Sequence, residues 1–148
     1  VIMDQNMLLS LEFALENDSK AGFAYSGFLW GWKKFRSYPF SAKRLKRMNY
    51  IHTSALIRRE CFPGFDEHLN RFQDWDLWLT ILENGKRGVF VKKLLYKVLQ
   101  DDEKSRISKW LPSPLIWFPW QMIGWSPRVV KKYSEAKKVV LKKHDLIN

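Results

Sequence analysis

Two carboxylates stand two positions apart in the stretch RFQDWDLWLTILENG, at Asp74 and Asp76. A carboxylate can accept the proton of an attacking hydroxyl as a general base, or it can simply begin a helix, which it stabilises by about 1 kcal/mol. At about 100° per residue, Asp74 falls beside Trp78 and Ile81, whereas Asp76 falls on the polar side. Because an apolar border raises the proton affinity of a carboxylate, Asp74 is the better candidate base, and Asp76 is predicted to be structural.

The helix that must carry these carboxylates is indicated by apolar residues at i, i+3, i+4 and i+7, which are Trp75, Trp78, Leu79 and Leu82. Asn84 and Gly85 predict its end. A second helix is predicted over residues 4–17, with an apolar stripe of Met7, Leu8, Leu11 and Leu15. A third, basic and amphipathic, is predicted over about 127–144.

Strands are predicted at 21–28, within 49–62 before a helical turn, and at 88–99 as one strand or two. The segment 29–47, both basic and aromatic, is predicted to be a loop or irregular arm. Helices that alternate with short strands predict an α/β layered fold.

The charge of the chain is strongly positive, with 26 Lys and Arg against 15 Asp and Glu and a net charge of +11. Residues 33–59 hold nine basic and no acidic side chains, and residues 127–148 hold seven basic and two acidic ones. Such fields attract nucleic acid, anionic lipid or phosphorylated small molecules. The run KRLKR at 43–47 is either a solvated face or a phosphate-binding element.

Several chemistries find no support in the sequence. Cys61 is the single cysteine, so an internal disulfide is impossible, and the histidines (His52, His68 and His144) lack metal-ligand spacing. His68 is predicted to be a solvated turn residue. There is no phosphate-binding loop, dinucleotide fingerprint or nucleophile elbow. The longest apolar run, 115–120, contains Pro119 and is too short to cross a bilayer.

The segment 110–125 is rich in tryptophan and proline, with four of the eight tryptophans of the chain. Its tryptophans either pack in the core or lie at headgroup depth on an anionic membrane, beside the basic helix.

The stretch 48–98 resembles the C-terminal half of the catalytic domain of family-2 glycosyltransferases, which have the GT-A fold. The resemblance rests on Asn49, ALIRR at 55–59, GFDE at 64–67 and QDWDLWL at 73–79. Segment 11–26 is similar to the helix and strand that follow the family's metal-binding Asp-x-Asp. This implies an incomplete GT-A-like, nucleotide-diphospho-sugar transferase domain over 1–100, without its N-terminal donor-binding half. A basic, Trp/Pro-rich helical tail over 101–148 follows it.

The resemblance implies transfer of a sugar from a nucleotide-sugar donor to a glycan or lipid-linked acceptor hydroxyl, in polysaccharide or glycoconjugate synthesis. Asp74 matches the family's general base, and the acceptor-site residues implied are Gln73, Trp75, Trp78, Asp66 and Glu67. Trp75 and Trp78 would either pack or form sugar-stacking walls. The resemblance implies Mg²⁺ or Mn²⁺ in the parent chain. The expected location is cytoplasmic, and the tryptophan-rich tail and the basic charge add the expectation of a peripheral position at the inner face of a membrane.

The chain also departs from the family pattern. Gln73 replaces a glutamate, Thr80 replaces an arginine, and Gln100 stands where a metal-binding histidine often occurs. With the donor-binding half absent, the fragment is expected to be inactive alone, and no metal ligand is assigned within it.

The alternative function is a basic, aromatic-rich module for a nucleic acid or a membrane surface. It rests on four aromatic residues that are interleaved with the basic residues of the segment 29–47, namely Trp30, Trp32, Phe35 and Tyr38. Nucleic acid is the less expected partner of the two.

The first testable prediction concerns the sequence before Val1. An Asp-x-Asp pair is expected within about ten residues upstream, since strand-to-helix loops usually span a few residues. Reading the parent gene and finding no acidic pair there would remove the metal-dependent transferase from consideration.

Overall fold

The computed structural model describes residues 1–99 and 127–147. This part of the chain is a mixed α/β structure, which confirms the α/β class predicted from the sequence. Its strands are β1 (Ile2–Met3), β2 (Ala21–Trp30), β3 (Lys33–Phe35), β4 (Leu56–Ile57) and β5 (Arg87–Val98). Its helices are α1 (Met7–Glu16), α2 (Ala42–Leu45), α3 (Gln73–Glu83) and α4 (Arg128–Lys143), with a 3-10 turn at Arg59–Cys61.

The parallel pair of β2 and β5 forms the centre of the sheet. The described strands follow the order β1-β5-β2-β3, and β4 also pairs with β2. The pairing of β2 with β5 runs from Ala21 beside Arg87 to Trp30 beside Val98. Parallel neighbours need a crossover connection, and here α3 lies within it.

The two faces of β2 contribute to two hydrophobic clusters. Phe23 and Tyr25 belong to the cluster that contains Trp75 and Trp78 of α3. Ala24 belongs to the other, which contains the buried residues of α1. Residues 21–27 are therefore buried throughout, as expected for a strand covered on both faces.

Helix α1 confirms the predicted helix but corrects its apolar stripe. Met7, Leu11 and Leu15 are buried, whereas Leu8 is 58% exposed. Leu8 lies about 100° from Met7 around the helix axis, so its side chain falls outside the face that packs on the sheet.

The segment 29–47 contains regular structure, and its prediction as a loop or irregular arm was wrong. Gly31, with a φ of 56°, reverses the chain between β2 and β3, and Phe28 stacks on Phe35 at 4.9 Å between ring centroids. Ser41 begins α2 by accepting a hydrogen bond from the Arg44 backbone N–H at 3.2 Å. Gly31 and Ser41 are ordinary turn and cap residues, so both signals were present in the sequence.

The remaining predicted elements occur close to their predicted bounds. Helix α3 is followed by Asn84 and by Gly85 with a φ of 75°, and β5 is a single strand. Helix α4 buries Val130 and Val140, so the helical part of the tail packs on the domain. The tryptophan-rich segment 110–125 lies outside the described residues, so the prediction for it stays a prediction.

We expect Trp78→Phe to lower the free energy of unfolding by about 2 to 4 kcal/mol. The Trp78 ring is fully buried, stacks on Phe23 at 4.6 Å, and donates its Nε1–H to the Ile51 carbonyl at 3.1 Å. The substitution leaves a void and an unpaired carbonyl. Urea denaturation of the purified chain measures the change.

The matched control is Trp32→Phe, because the Trp32 side chain is fully exposed. That substitution should change the free energy of unfolding by less than about 0.5 kcal/mol. Equal changes for the two variants would contradict the assignment of Trp78 to the core.

Candidate functional site

The Asp74 carboxylate is half-buried in the first turn of α3. Its Oδ1 accepts the Trp75 backbone N–H at 2.9 Å, so it satisfies one of the donors that a helix start leaves unpaired. Its Oδ2 accepts the Asn49 side-chain N–H at 2.8 Å. A carboxylate offers about four acceptor positions, so both oxygens keep capacity for a further donor such as a substrate hydroxyl.

Phe72 sets the direction in which the chain enters α3. Its backbone is left-handed, with a φ of 62°, which costs a residue with a side chain about 1 to 2 kcal/mol. Edge-on ring contacts to Trp75 at 5.7 Å and to Tyr133 of α4 at 5.1 Å hold it there. Backbone strain two residues before Asp74 marks this turn as a candidate site, because such strain clusters at functional positions.

The Asp74 carboxylate acts electrostatically on the side chain of His52. Burial lowers its pKa below the ordinary value of 6.5, and the Asp74 carboxylate offsets this only in part. Its Nδ1 accepts the Ser54 backbone N–H at 3.1 Å, which assigns the proton of the neutral ring to Nε2. The ring lies against Phe28 and Tyr96. A buried imidazole with a lowered pKa thus lies within the electrostatic influence of the Asp74 carboxylate.

Asp76 lies in a very different environment from Asp74, on the polar side of α3 that was predicted for it, but buried there under the end of α4. Its carboxylate is buried, 2.8 Å from Lys143 Nζ and 2.9 Å from His144 Nε2. His144 in turn reaches Glu83 through Nδ1 at 2.7 Å. The helical wheel identified the polar side correctly, but α4 covers that side with basic partners.

Asp66, predicted at the acceptor site, also binds the end of α4. Lys143 Nζ lies 2.7 Å from Asp66 Oδ2, and this hydrogen bond, with one from the His68 backbone N–H, lowers the pKa of Asp66 to about 2. Desolvation lowers the pKa of Lys143, but the hydrogen bonds to Asp66 and Asp76 outweigh it and raise the pKa overall. The side chain of His68 is 99% exposed, as predicted.

The other predicted acceptor residues separate into two groups. Gln73 and Glu67 are exposed near Asp66, whose carbonyl accepts the Gln73 amide at 3.4 Å. Trp75 and Trp78 are closed to solvent, and their indole N–H groups donate to the Leu45 and Ile51 carbonyls. Of the two roles considered for these tryptophans, packing is the one the structure shows.

Asn49 and His144 acquire roles that residue type alone did not reveal. Nothing in the sequence pairs Asn49 with Asp74, which lies 25 residues later. His144 had a detectable signal, because it extends the spacing of the buried residues Val130 and Val140 along α4. A histidine on that stripe is expected to be buried and therefore to need polar partners.

A cavity of about 340 Å³ lies elsewhere, against Cys61, Phe62, Ile81 and Asn84. Asn84 is at the opposite end of α3 from Asp74, roughly 15 Å along the axis at 1.5 Å per residue. This cavity is therefore separate from the acidic site around Asp74. Over residues 1–99 and 127–147, no group of three or more His, Cys, Asp or Glu side chains could hold a metal ion. Gln100 lies outside the described residues.

The chain matches no family model, and no curated protein matches it either.

The Asp66–Lys143 pair generates a prediction that NMR can check. Because the pKa of Asp66 is depressed, the contact stabilises the fold above the ordinary carboxyl pKa of 3.8 and is lost as the pH falls toward about 2. Titration of the Asp66 carboxyl carbon in the intact chain should show this low pKa. In Lys143→Gln the pKa should return toward 3.8.

Lys142→Gln is the matched control, since Lys142 is the exposed neighbour on the same helix turn. It removes an equal charge without breaking the contact, so the Asp66 pKa should stay low. Equal shifts in both variants would mean that general charge, and not the contact, lowers the pKa.

Proposed function

We propose that this chain is the acceptor-side part of a glycosyltransferase in which Asp74 is the general base. One observation carries the proposal. Of the two aspartates at the start of α3, Asp76 is buried against Lys143 and His144, whereas Asp74 is half-buried and oriented by Asn49. A general base must be both held in place and open to the hydroxyl it deprotonates, and only Asp74 of this pair meets both needs.

In the proposed reaction, a nucleotide sugar donates its sugar to an acceptor hydroxyl on a glycan or lipid-linked glycan. The hydroxyl oxygen forms a bond to the anomeric carbon while its proton moves to a carboxylate oxygen of Asp74. The bond from the anomeric carbon to the diphosphate breaks, and the nucleoside diphosphate leaves on the opposite face. The Asn49 amide and the Trp75 N–H fix the carboxylate, which reduces the cost of orienting it in the transition state.

The fold and the convergence of motif residues support this proposal. The described residues form a mixed sheet with helices on both faces. We propose that this sheet is part of a GT-A domain. Residues from three separate motifs meet around the start of α3, namely Asn49, Asp66, Gln73 and Asp74. Thr80, which departs from the family pattern, donates its hydroxyl to the Asp76 carbonyl within the helix at 2.9 Å.

The donor side of the site belongs to the parent chain in this proposal. Mg²⁺ or Mn²⁺ would stabilise the leaving diphosphate there. The described residues supply no ligand set for such an ion, so no step above passes through it. We also propose that the reaction takes place on the cytoplasmic face of a membrane.

Asp74→Asn should lower turnover by roughly 10² to 10⁴, the usual contribution of general-base catalysis. Donor binding should survive, because the base acts on the acceptor. Asp76→Asn should leave turnover per folded molecule unchanged but lower the free energy of unfolding by about 2 to 4 kcal/mol, because it unbalances a buried charge cluster. The turnover assay uses the parent chain with its donor-binding half, and urea denaturation gives stability.

Glu12→Gln, at an exposed carboxylate of α1, controls for the loss of one negative charge and should change neither quantity. A folded Asp74→Asn enzyme at full rate would show that Asp74 only begins the helix. Equal losses of turnover in the two aspartate variants would lead to the same conclusion.

A further inference from the structure

The segment 32–47, here called the basic arm, combines a fully exposed tryptophan with an unbroken positive charge. Trp32 lies at the tip of the β2–β3 hairpin with a relative exposure of 101%. The arm contains no acidic residue, and its basic residues are Lys33, Lys34, Arg36, Lys43, Arg44, Lys46 and Arg47. An indole held entirely in water is unfavourable, so this surface is suited to a partner that removes the ring from water.

Three basic side chains of the arm, those of Lys43, Lys46 and Arg47, are exposed to solvent. None of them forms an ion pair with the acidic residues of the described chain. By contrast, Lys143 at the end of α4 is occupied by two carboxylates. The charges of Lys43, Lys46 and Arg47 therefore face solvent without an acidic partner from the described chain.

The arm is fixed to the domain by specific contacts. The Tyr25 hydroxyl donates to the Tyr38 carbonyl at 2.8 Å, and the Tyr50 hydroxyl accepts the Ser41 backbone N–H at 3.0 Å. The Arg44 guanidinium lies 4.2 Å from the centroid of the Tyr38 ring. A surface held in this way loses little conformational entropy on binding.

We propose that the basic arm binds an anionic membrane surface, with Trp32 at headgroup depth and Lys43, Lys46 and Arg47 against the anionic headgroups. Tryptophan favours the membrane–water interface, and each basic side chain near an anionic leaflet adds about fivefold in affinity. This binding is peripheral. Among the described helices, none has the length and apolar character that crossing a bilayer requires.

A lipid surface fits the arm better than single-stranded nucleic acid does. Nucleic-acid binders of that kind stack successive bases on several open aromatic faces. In the arm, Phe35 is stacked on Phe28, and Arg44 covers a face of Tyr38. Trp32 is left as one fully open ring among charges, which is the arrangement of an interfacial anchor.

The position of the arm connects membrane binding to the candidate site. Arg47 is followed two residues later by Asn49, whose side chain holds Asp74. The C-terminal end of the arm is thus close in the chain to the residue that orients Asp74, and in this proposal the bound membrane presents a lipid-linked acceptor to that carboxylate. Membrane binding by the arm goes beyond the proposed catalytic function. Its test measures vesicle binding and not turnover, so either proposal can fail while the other holds.

Co-sedimentation of the full 148-residue chain with vesicles tests the proposal. The chain should bind vesicles of phosphatidylcholine with phosphatidylglycerol, fail to bind phosphatidylcholine alone, and lose affinity as salt rises. Combining Lys43→Gln, Lys46→Gln and Arg47→Gln should weaken binding by about 10²-fold, from about fivefold per charge. Trp32→Ala should weaken it several-fold. All four residues are exposed, so these variants should keep the wild-type unfolding midpoint.

The matched control combines Lys131→Gln, Lys132→Gln and Lys138→Gln on the exposed face of α4, with an equal loss of charge. It should weaken binding far less than the arm variant does. Equal weakening would mean that net charge or the tail binds the membrane, which overturns the proposal. Unchanged binding in Trp32→Ala would overturn it as well. So would tighter binding to a single-stranded oligonucleotide through the same arm residues.

Discussion

The stack of Trp78 on Phe23 fixes α3 to the sheet, and the position of every candidate residue depends on it. The two rings lie 4.6 Å apart in the centre of the larger core cluster. Five consecutive residues of α3, Trp75 to Leu79, are buried, which leaves the helix almost no freedom to rotate. Asp74 therefore stays at the rim beside Asn49, while Asp76 points under α4. Interiors this closely packed transmit strain, so a change at Trp78 would also move the carboxylate.

The α/β class and the main helices were predictable because each has a local cause. Helix α3 has a periodic apolar face and an Asn-Gly end, and β2 has a nearly unbroken run of buried residues. Asp74 could be separated from Asp76 by its angular position alone. The environment of Asp76 could not be predicted in that way, because its partners Lys143 and His144 lie 67 and 68 residues away in the chain. A helical wheel describes one helix and contains no information about which second helix will cover its polar side.

The basic arm shows the same limit in another form. Its composition was read correctly as basic and aromatic, but composition does not distinguish a loop from a short hairpin followed by a helical turn. The structure forms through ring contacts such as that of Phe28 with Phe35, and through hydrogen bonds that the arm makes with the hydroxyl groups of Tyr25 and Tyr50. Periodicity cannot detect a three-residue strand or a four-residue helix.

The placement of α4 explains why Asp74 and Asp76 differ, although both lie in the first turn of α3. Lys143 and His144 engage Asp66, Asp76 and Glu83, three acidic groups that would otherwise crowd one end and one side of α3. Without these hydrogen-bonding partners, repulsion among the carboxylates and the cost of burial would oppose the packing of Asp76. With them, the negative charge at the start of α3 that has no ion-pair partner in the described chain is that of Asp74. The tail helix thus contributes to the site by binding the acidic neighbours of Asp74, so the acidic motifs and the end of α4 form one hydrogen-bonded cluster.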